Sequence, residues 1–225
     1  MLFSSLFCTV QLHILNTEEL WFPRAEDALE DGLLAIGADL STERLLLAYK
    51  SGIFPWFDDD VPMWWCPDPR FVLYPDELKV SKSMKQVIKK GGFDFRMNTD
   101  FEKVIANCKA VEREGQDGTW ITEVVEYAYT QMYKLGYAHS VEAWQDGELV
   151  GGLYGIRLGN IFFGESMFSH VSNASKFAFI KYVEQLKAEG VVLIDCQVYT
   201  EHLESLGARM IPRSEFLEIL NRQIG

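Results

Sequence analysis

The sequence predicts an α+β protein in two parts: a smaller N-terminal α/β domain over 1–70, ending in an aromatic connector, and a larger α+β domain over 71–225. Three observations carry this. Segments 138–144, 149–156 and 161–168 read as strands joined by the turn pairs Asp146-Gly147 and Gly159-Asn160, an antiparallel meander. Residues 122–135 set Val125, Ala128, Tyr129, Met132 and Leu135 at helical spacing, with Glu123 and Glu126 near the N-terminus and Gly136 as terminator. A long helix over 174–188, stopped by Gly190, leads into a strand over 191–198 and a closing helix over 214–222, which completes a layered arrangement.

The remaining elements follow in order. Between residues 15 and 60 acids outnumber bases eleven to three. Within that stretch Ser41 is placed to cap a short helix that ends before Gly52. Residues 54–70 hold four of the seven prolines and three of the six tryptophans, so no regular structure is expected there. Phe71-Val72-Leu73-Tyr74 reads as a strand, and 81–90 as a helix stopped by Gly91-Gly92.

Composition narrows the function classes. With 225 residues, 48% hydrophobic and 24% charged, the chain has the make-up of a folded domain rather than a disordered or fibrous one. Its net charge of −12 argues against coating nucleic acid through the overall field and leaves only a local basic patch for such a partner. The apolar start has no basic residue before Arg24 and no stretch of about 20 apolar residues, so neither a secretory leader nor a membrane span is expected. A cytoplasmic protein follows. Cys8, Cys66, Cys108 and Cys196 lie far apart without a CxxC pair, which suggests neither a zinc site nor a disulfide framework.

Several residues can carry chemistry. Lys79, Lys82, Lys85, Lys89 and Lys90 fall within twelve acid-free residues, and Lys82, Lys85 and Lys89 share one helical face. That face is either simply solvated or a place for a polyanion's phosphates. Trp56, Trp64, Trp65 and Trp120 sit beside Pro or Gly or in loops, where they either pack a junction or stack on a nucleobase. Glu165 interrupts the aromatic strand Phe162-Phe163-Gly164-Glu165-Ser166-Met167-Phe168. It is either a solvent-facing edge residue or a buried carboxylate that needs a partner or ligand. Asp195 and Gln197, two apart in Ile194-Asp195-Cys196-Gln197-Val198, project to one face as a structural hydrogen-bonded pair or a functional one. His139, His170 and His202 show no metal spacing.

The order of elements in the larger domain resembles the GNAT acyltransferase fold. More specifically, seven motifs in sequence resemble the leucyl/phenylalanyl-tRNA–protein transferase family: Gly37-Ala38-Asp39-Leu40, Gly52-Ile53-Phe54-Pro55-Trp56, Trp64-Trp65-Cys66-Pro67-Asp68-Pro69-Arg70, Gly118-Thr119-Trp120-Ile121-Thr122, Gly164-Glu165-Ser166-Met167-Phe168-Ser169, Asn173-Ala174-Ser175-Lys176 and Ile194-Asp195-Cys196-Gln197. Ordered motifs over most of a chain are far more specific than any one pattern.

The resemblance implies an enzyme that moves Leu or Phe, and less readily Met, from aminoacyl-tRNA to proteins with N-terminal Arg or Lys, marking them for N-end-rule degradation. It implies no cofactor and no metal, and a monomer is expected. It assigns tRNA contact to Lys82, Lys89 and Lys90, to which the clustering adds Lys85. The 3′-terminal adenine falls to Trp56 and Trp120, with Tyr49 and Tyr129 nearby. Leu153, Phe162, Met167, Phe179, Tyr182, Leu186, Ile194 and Cys196 would line the donor side-chain pocket, with Glu165 at its rim. Asp195 and Gln197 would be catalytic, Asp195 orienting the Gln197 amide. Two rivals stand beside this reading. A GNAT acetyltransferase would need a pyrophosphate-cradling glycine loop where the chain has Val171-Ser172-Asn173-Ala174-Ser175-Lys176. A non-catalytic tRNA-binding module would need the lysines and tryptophans but not Glu165, Asp195 and Gln197 together.

Overall fold

The structure, a computed structural model, describes residues 12–58, 60–111 and 120–224. Most of the apolar start with Cys8, and Gly118-Thr119 of the Trp120 motif, lie outside them. Short segments of the first third pair into a four-stranded sheet: β1 (His13–Leu15), β2 (Leu33–Gly37), β3 (Phe54–Pro55) and β4 (Met63–Trp65), in the order β1-β2-β4-β3. Helix α1 (Thr42–Lys50) lies between β2 and β3 in the chain.

This sheet corrects the expectation that 54–70 has no regular structure. Pro55 is tolerated because β3 is an edge strand, where a missing N–H costs no ladder bond. Trp64 is fully buried, and its indole N–H donates to the Gly37 carbonyl at 2.9 Å. Ser41 does precede α1, but its hydroxyl makes no capping bond; instead Asp39 accepts the Ser41 backbone N–H at 2.9 Å.

The rest of the chain builds a seven-stranded sheet from β5 (Arg70–Leu73), β6 (Asp94–Met97), β7 (Ala138–Gln145), β8 (Glu148–Leu158), β9 (Ile161–Ser169), β10 (Leu193–Gln197) and β11 (Arg209–Ile211), in the order β11-β5-β10-β9-β8-β7-β6. The expected meander is its centre: β7–β8 and β8–β9 are antiparallel. At the first turn Asp146 and Gly147 both take positive φ (52° and 85°), the backbone a two-residue hairpin demands. Strand β10 then pairs parallel with β9 and antiparallel with β5.

Helices cover both faces. On one lie α2 (Lys82–Lys90) and the largely buried α5 (Ala174–Ala188), whose Phe177, Ile180 and Val183 pack with Phe71, Val141 and Leu153. A Cβ on Gly151 would come within 2.6 Å of the Ala174 Cβ, so that glycine lets the start of α5 settle against β8. The other face carries α3 (Phe101–Ala110) and α4 (Glu123–Lys134), and its core runs on through Leu45 of α1 into Phe54 and Trp64 of the small sheet. Helices α6 (Glu201–Ser205) and α7 (Arg213–Gln223) complete the chain, with Phe216 and Leu220 of α7 in that same core. The protein is α+β as expected. Strands β1, β2, β6 and β11 and helices α3 and α6 are additions to the sequence reading.

Candidate active site

Parallel pairing of β9 with β10 runs Leu193↔Ile161, Ile194↔Phe162, Asp195↔Phe163 and ends there, although β9 continues to Ser169. Past that point the strands no longer share a ladder. Both strands are bulged there. On β9, Ser166 faces Tyr154 and Gly164 faces Gly155, so Glu165 is the extra residue. On β10, Asp195 and Gln197 face the consecutive Val72 and Phe71, and Gln197 takes a left-handed φ of 63°. Glu165 and Gln197 thus meet through side chains where the ladder stops.

Of the two readings of Glu165, the structure selects the partnered carboxylate. The residue is half-buried in the middle of the sheet. Its Oε1 accepts from the Tyr49 hydroxyl at 2.8 Å and from Gln197 Nε2 at 3.0 Å, and its Oε2 accepts from the Tyr129 hydroxyl at 3.0 Å. The two phenols, from α1 and α4, also touch each other. Burial pushes the Glu165 carboxyl up to about 7, helped by the negative charge of Asp195 and opposed by these hydrogen bonds. Burial, with the Glu165 charge beside it, holds both tyrosines well above the usual phenol range, so they remain O–H donors.

Asp195 and Gln197 do share a face, away from Ile194 and Cys196, which pack in the α5-side core. Their expected link is corrected, however. The Asp195 carboxylate accepts the backbone N–H of Gln197 at 3.0 Å, whereas the Gln197 side-chain amide is oriented by Glu165. Both Asp195 oxygens are engaged by Arg70, Nε to Oδ1 at 2.8 Å and Nη2 to Oδ2 at 2.7 Å. This ion pair is fully buried. Arg70 was not singled out from the sequence as a site residue, although it closes the Trp64–Arg70 motif and opens an otherwise apolar strand.

The residues expected to line the donor pocket fall together. Leu153, Phe162, Phe179, Tyr182, Leu186, Ile194 and Cys196 all lie in the α5-side core, with Met167 half-buried against it. Phe162 meets Tyr182 edge-on at 4.9 Å between centroids. Trp120 is buried and meets Tyr129 edge-on at 6.3 Å. Trp56 is 37% exposed, and its ring packs against Trp65. The lysines of α2 stand apart: Met84 is buried and Val87 and Ile88 pack inward, while Lys82, Lys85, Lys89 and Lys90 are exposed and, among the described residues, form no ion pair. Ser81 caps this helix by accepting the Met84 N–H at 3.2 Å. Among the described residues no group of three or more His, Cys, Asp or Glu converges as metal ligands would, and no helix is long and apolar enough to cross a membrane.

Comparison with known proteins adds the family. The family model described as leucyl/phenylalanyl-tRNA protein transferase matches residues 72–221, and the one for that family's N-terminal domain matches 38–68. A leucyl/phenylalanyl-tRNA–protein transferase from Flavobacterium johnsoniae is 57% identical over 90% of this chain and 96% of its own. One from Saccharophagus degradans is 55% identical over 93% and 87%. Among solved structures, GCN5-related N-acetyltransferase proteins from Kribbella flavida (TM-score 0.39, 10% identity, 80% of this chain and 64% of that one) and Streptococcus suis (TM-score 0.38, 13% identity, 79% and 68%) are far more distant. On the two family models and these relatives, the chain is an aminoacyltransferase and belongs to the leucyl/phenylalanyl-tRNA–protein transferase family.

Proposed function

We propose that the protein takes Leu or Phe, and less readily Met, from aminoacyl-tRNA and attaches it to the α-amine of proteins that begin with Arg or Lys, marking them in the cytoplasm for N-end-rule degradation. The observation that supports this best is the polar group Glu165, Tyr49, Tyr129 and Gln197 at the end of the β9–β10 ladder, backed by the apolar residues under α5.

The reaction is aminolysis of an ester. The acceptor nitrogen bonds to the aminoacyl carbonyl carbon, the bond from that carbon to the ribose oxygen breaks, and a proton passes from the amine to the departing oxygen. The ester is already activated, so the chief task is to hold both substrates in reacting geometry. Gln197 does not titrate at neutral pH and is no base. With its Nε2 held by Glu165, its Oε1 is left to accept an N–H of the attacking amine. Asp195 has both oxygens occupied and acts at one remove, as a positioning residue. The lysines of α2 would take phosphates of the acceptor stem, and Trp56 with Trp120 the terminal adenine.

The test is transfer of radiolabelled amino acid from charged tRNA to peptides that differ only in their first residue. Peptides beginning with Arg or Lys are expected to be labelled from Leu- and Phe-tRNA, more slowly from Met-tRNA, and poorly from Val- or Ile-tRNA. An apolar pocket separates close isosteres by about 1–3 kcal/mol, or roughly 10- to 200-fold. Equal labelling of acidic N-termini would overturn the acceptor assignment, and Val at the Leu rate the pocket assignment.

A further inference from the structure

We infer that Arg70 is a positioning residue for aminoacyl transfer: it fixes the Asp195 carboxylate, which in turn holds Gln197 in the left-handed backbone conformation that aims its amide at Glu165. The kinetic part of this inference rests on the function proposed above.

Gln197 is the only residue of β10 with positive φ, and left-handed backbone is uncommon for any residue other than glycine, because its Cβ crowds the neighbouring carbonyl oxygen. Such a conformation persists only where its surroundings over-determine it. Here the hold on its backbone N–H is Asp195 Oδ1 at 3.0 Å. That same oxygen, with Oδ2, receives the two-pronged grip of Arg70. A planar fork presenting two parallel N–H donors sets the carboxylate's rotation as well as its place, which a single ammonium does not. Arg70 is itself clamped: its guanidinium lies 4.7 Å from the Phe54 ring centroid and 4.5 Å from that of Phe216. One side comes from the small sheet and the other from α7. Arg70 Nη1 is buried with no hydrogen-bond partner among the described residues, so the fork's hold on Asp195 comes from Nε and Nη2.

A buried ion pair replaced on both sides by apolar residues of similar size is often neutral or stabilising, whereas loss of one partner leaves an uncompensated charge. The decisive variant is therefore the double Arg70→Met, Asp195→Leu, with Arg70→Lys as the conservative single. Both are expected to fold, the double melting somewhat below the wild type because the Gln197 N–H loses its acceptor along with the ion pair. Both are expected to bind an aminoacyl-adenosine analogue as the wild type does while kcat falls, by about 10-fold for the lysine variant and 100-fold or more for the double. A second readout needs no turnover: the 15N side-chain amide signal of Gln197 should shift in the double and partly in Arg70→Lys. If the wild type transfers nothing, the substrate reading fails while the amide signal still tests Arg70. A double variant that keeps wild-type kcat and an unmoved Gln197 signal, or one that does not fold, makes the pair a folding element and overturns the inference.

Discussion

Glu165 makes the stability of this protein depend on pH in a direction opposite to that of most carboxylates. Burial raises its carboxyl from the ordinary 4.5 to about 7. Between those values the folded protein keeps a proton that the unfolded chain has lost. The contribution of Glu165 to stability is therefore full below about 4.5, declines as pH rises, and is gone above about 7. At about 1.4 kcal/mol per pH unit the interval corresponds to about 3 kcal/mol. Because the residue is only half-buried, solvent screening lowers the expected value to about 2 kcal/mol. Glu165→Gln keeps the shape and an acceptor for the Tyr49 hydroxyl but does not titrate. Urea unfolding of both proteins at several pH values between 5 and 8 should show the variant gaining about 2 kcal/mol on the wild type across that range, whatever the constant offset between them. Stability curves that run parallel, or that diverge the other way, would refute the assignment of a retained proton to this carboxyl.

Two further outcomes concern the tRNA. Replacing Lys82, Lys89 and Lys90 together by Ala should weaken tRNA binding and flatten the slope of log affinity against log salt by about 2–3, as expected for three lost phosphate contacts, without affecting a small aminoacyl-adenosine donor; an unchanged slope removes α2 from the interface. Trp56→Ala should raise the donor KM by roughly 5- to 150-fold, the range that about 1–3 kcal/mol of base stacking represents, and Trp56→Phe should retain part of it. Wild-type affinity of both variants for an adenosine analogue would leave Trp56 a packing partner of Trp65.

Where structure is encoded locally, the sequence shows it. Turn pairs delimit β7, β8 and β9, and α5 begins and ends at the expected 174 and 188, because alternation, helix spacing and terminating glycines act over a few residues. The short strands β1, β3 and β4 have two or three residues each and exist only through their pairing, so no local pattern announces them. Helix α3 is different: Phe101, Val104, Ile105 and Cys108 are its buried side, a helical spacing present in the sequence and capped by Asp100, and it was open to detection. In the site, an acid in an aromatic strand was enough to single out Glu165. The partner of Asp195 was not visible, since Arg70 lies 125 residues away and only the antiparallel pairing of β5 with β10 brings them together.

The Gln197 amide meets Glu165 rather than Asp195 for a physical reason that reaches beyond one hydrogen bond. Alternation on a strand predicts which face a side chain takes, and it is right for Asp195 and Gln197 because their neighbours Ile194 and Cys196 pack on the other side. It says nothing of partners once a bulge intervenes. Against β8 the extra residue is Glu165 and against β5 it is Cys196; the β9–β10 pairing ends at Asp195↔Phe163, and polar groups on β9 and β10 become available to each other instead of to the sheet. The same departure from regular pairing that defeats the local rule is what lets Glu165 and Gln197 meet through their side chains at the end of two strands that are otherwise bonded side by side. In this fold the positions least faithful to strand periodicity are therefore the ones to substitute first when the chemistry is probed.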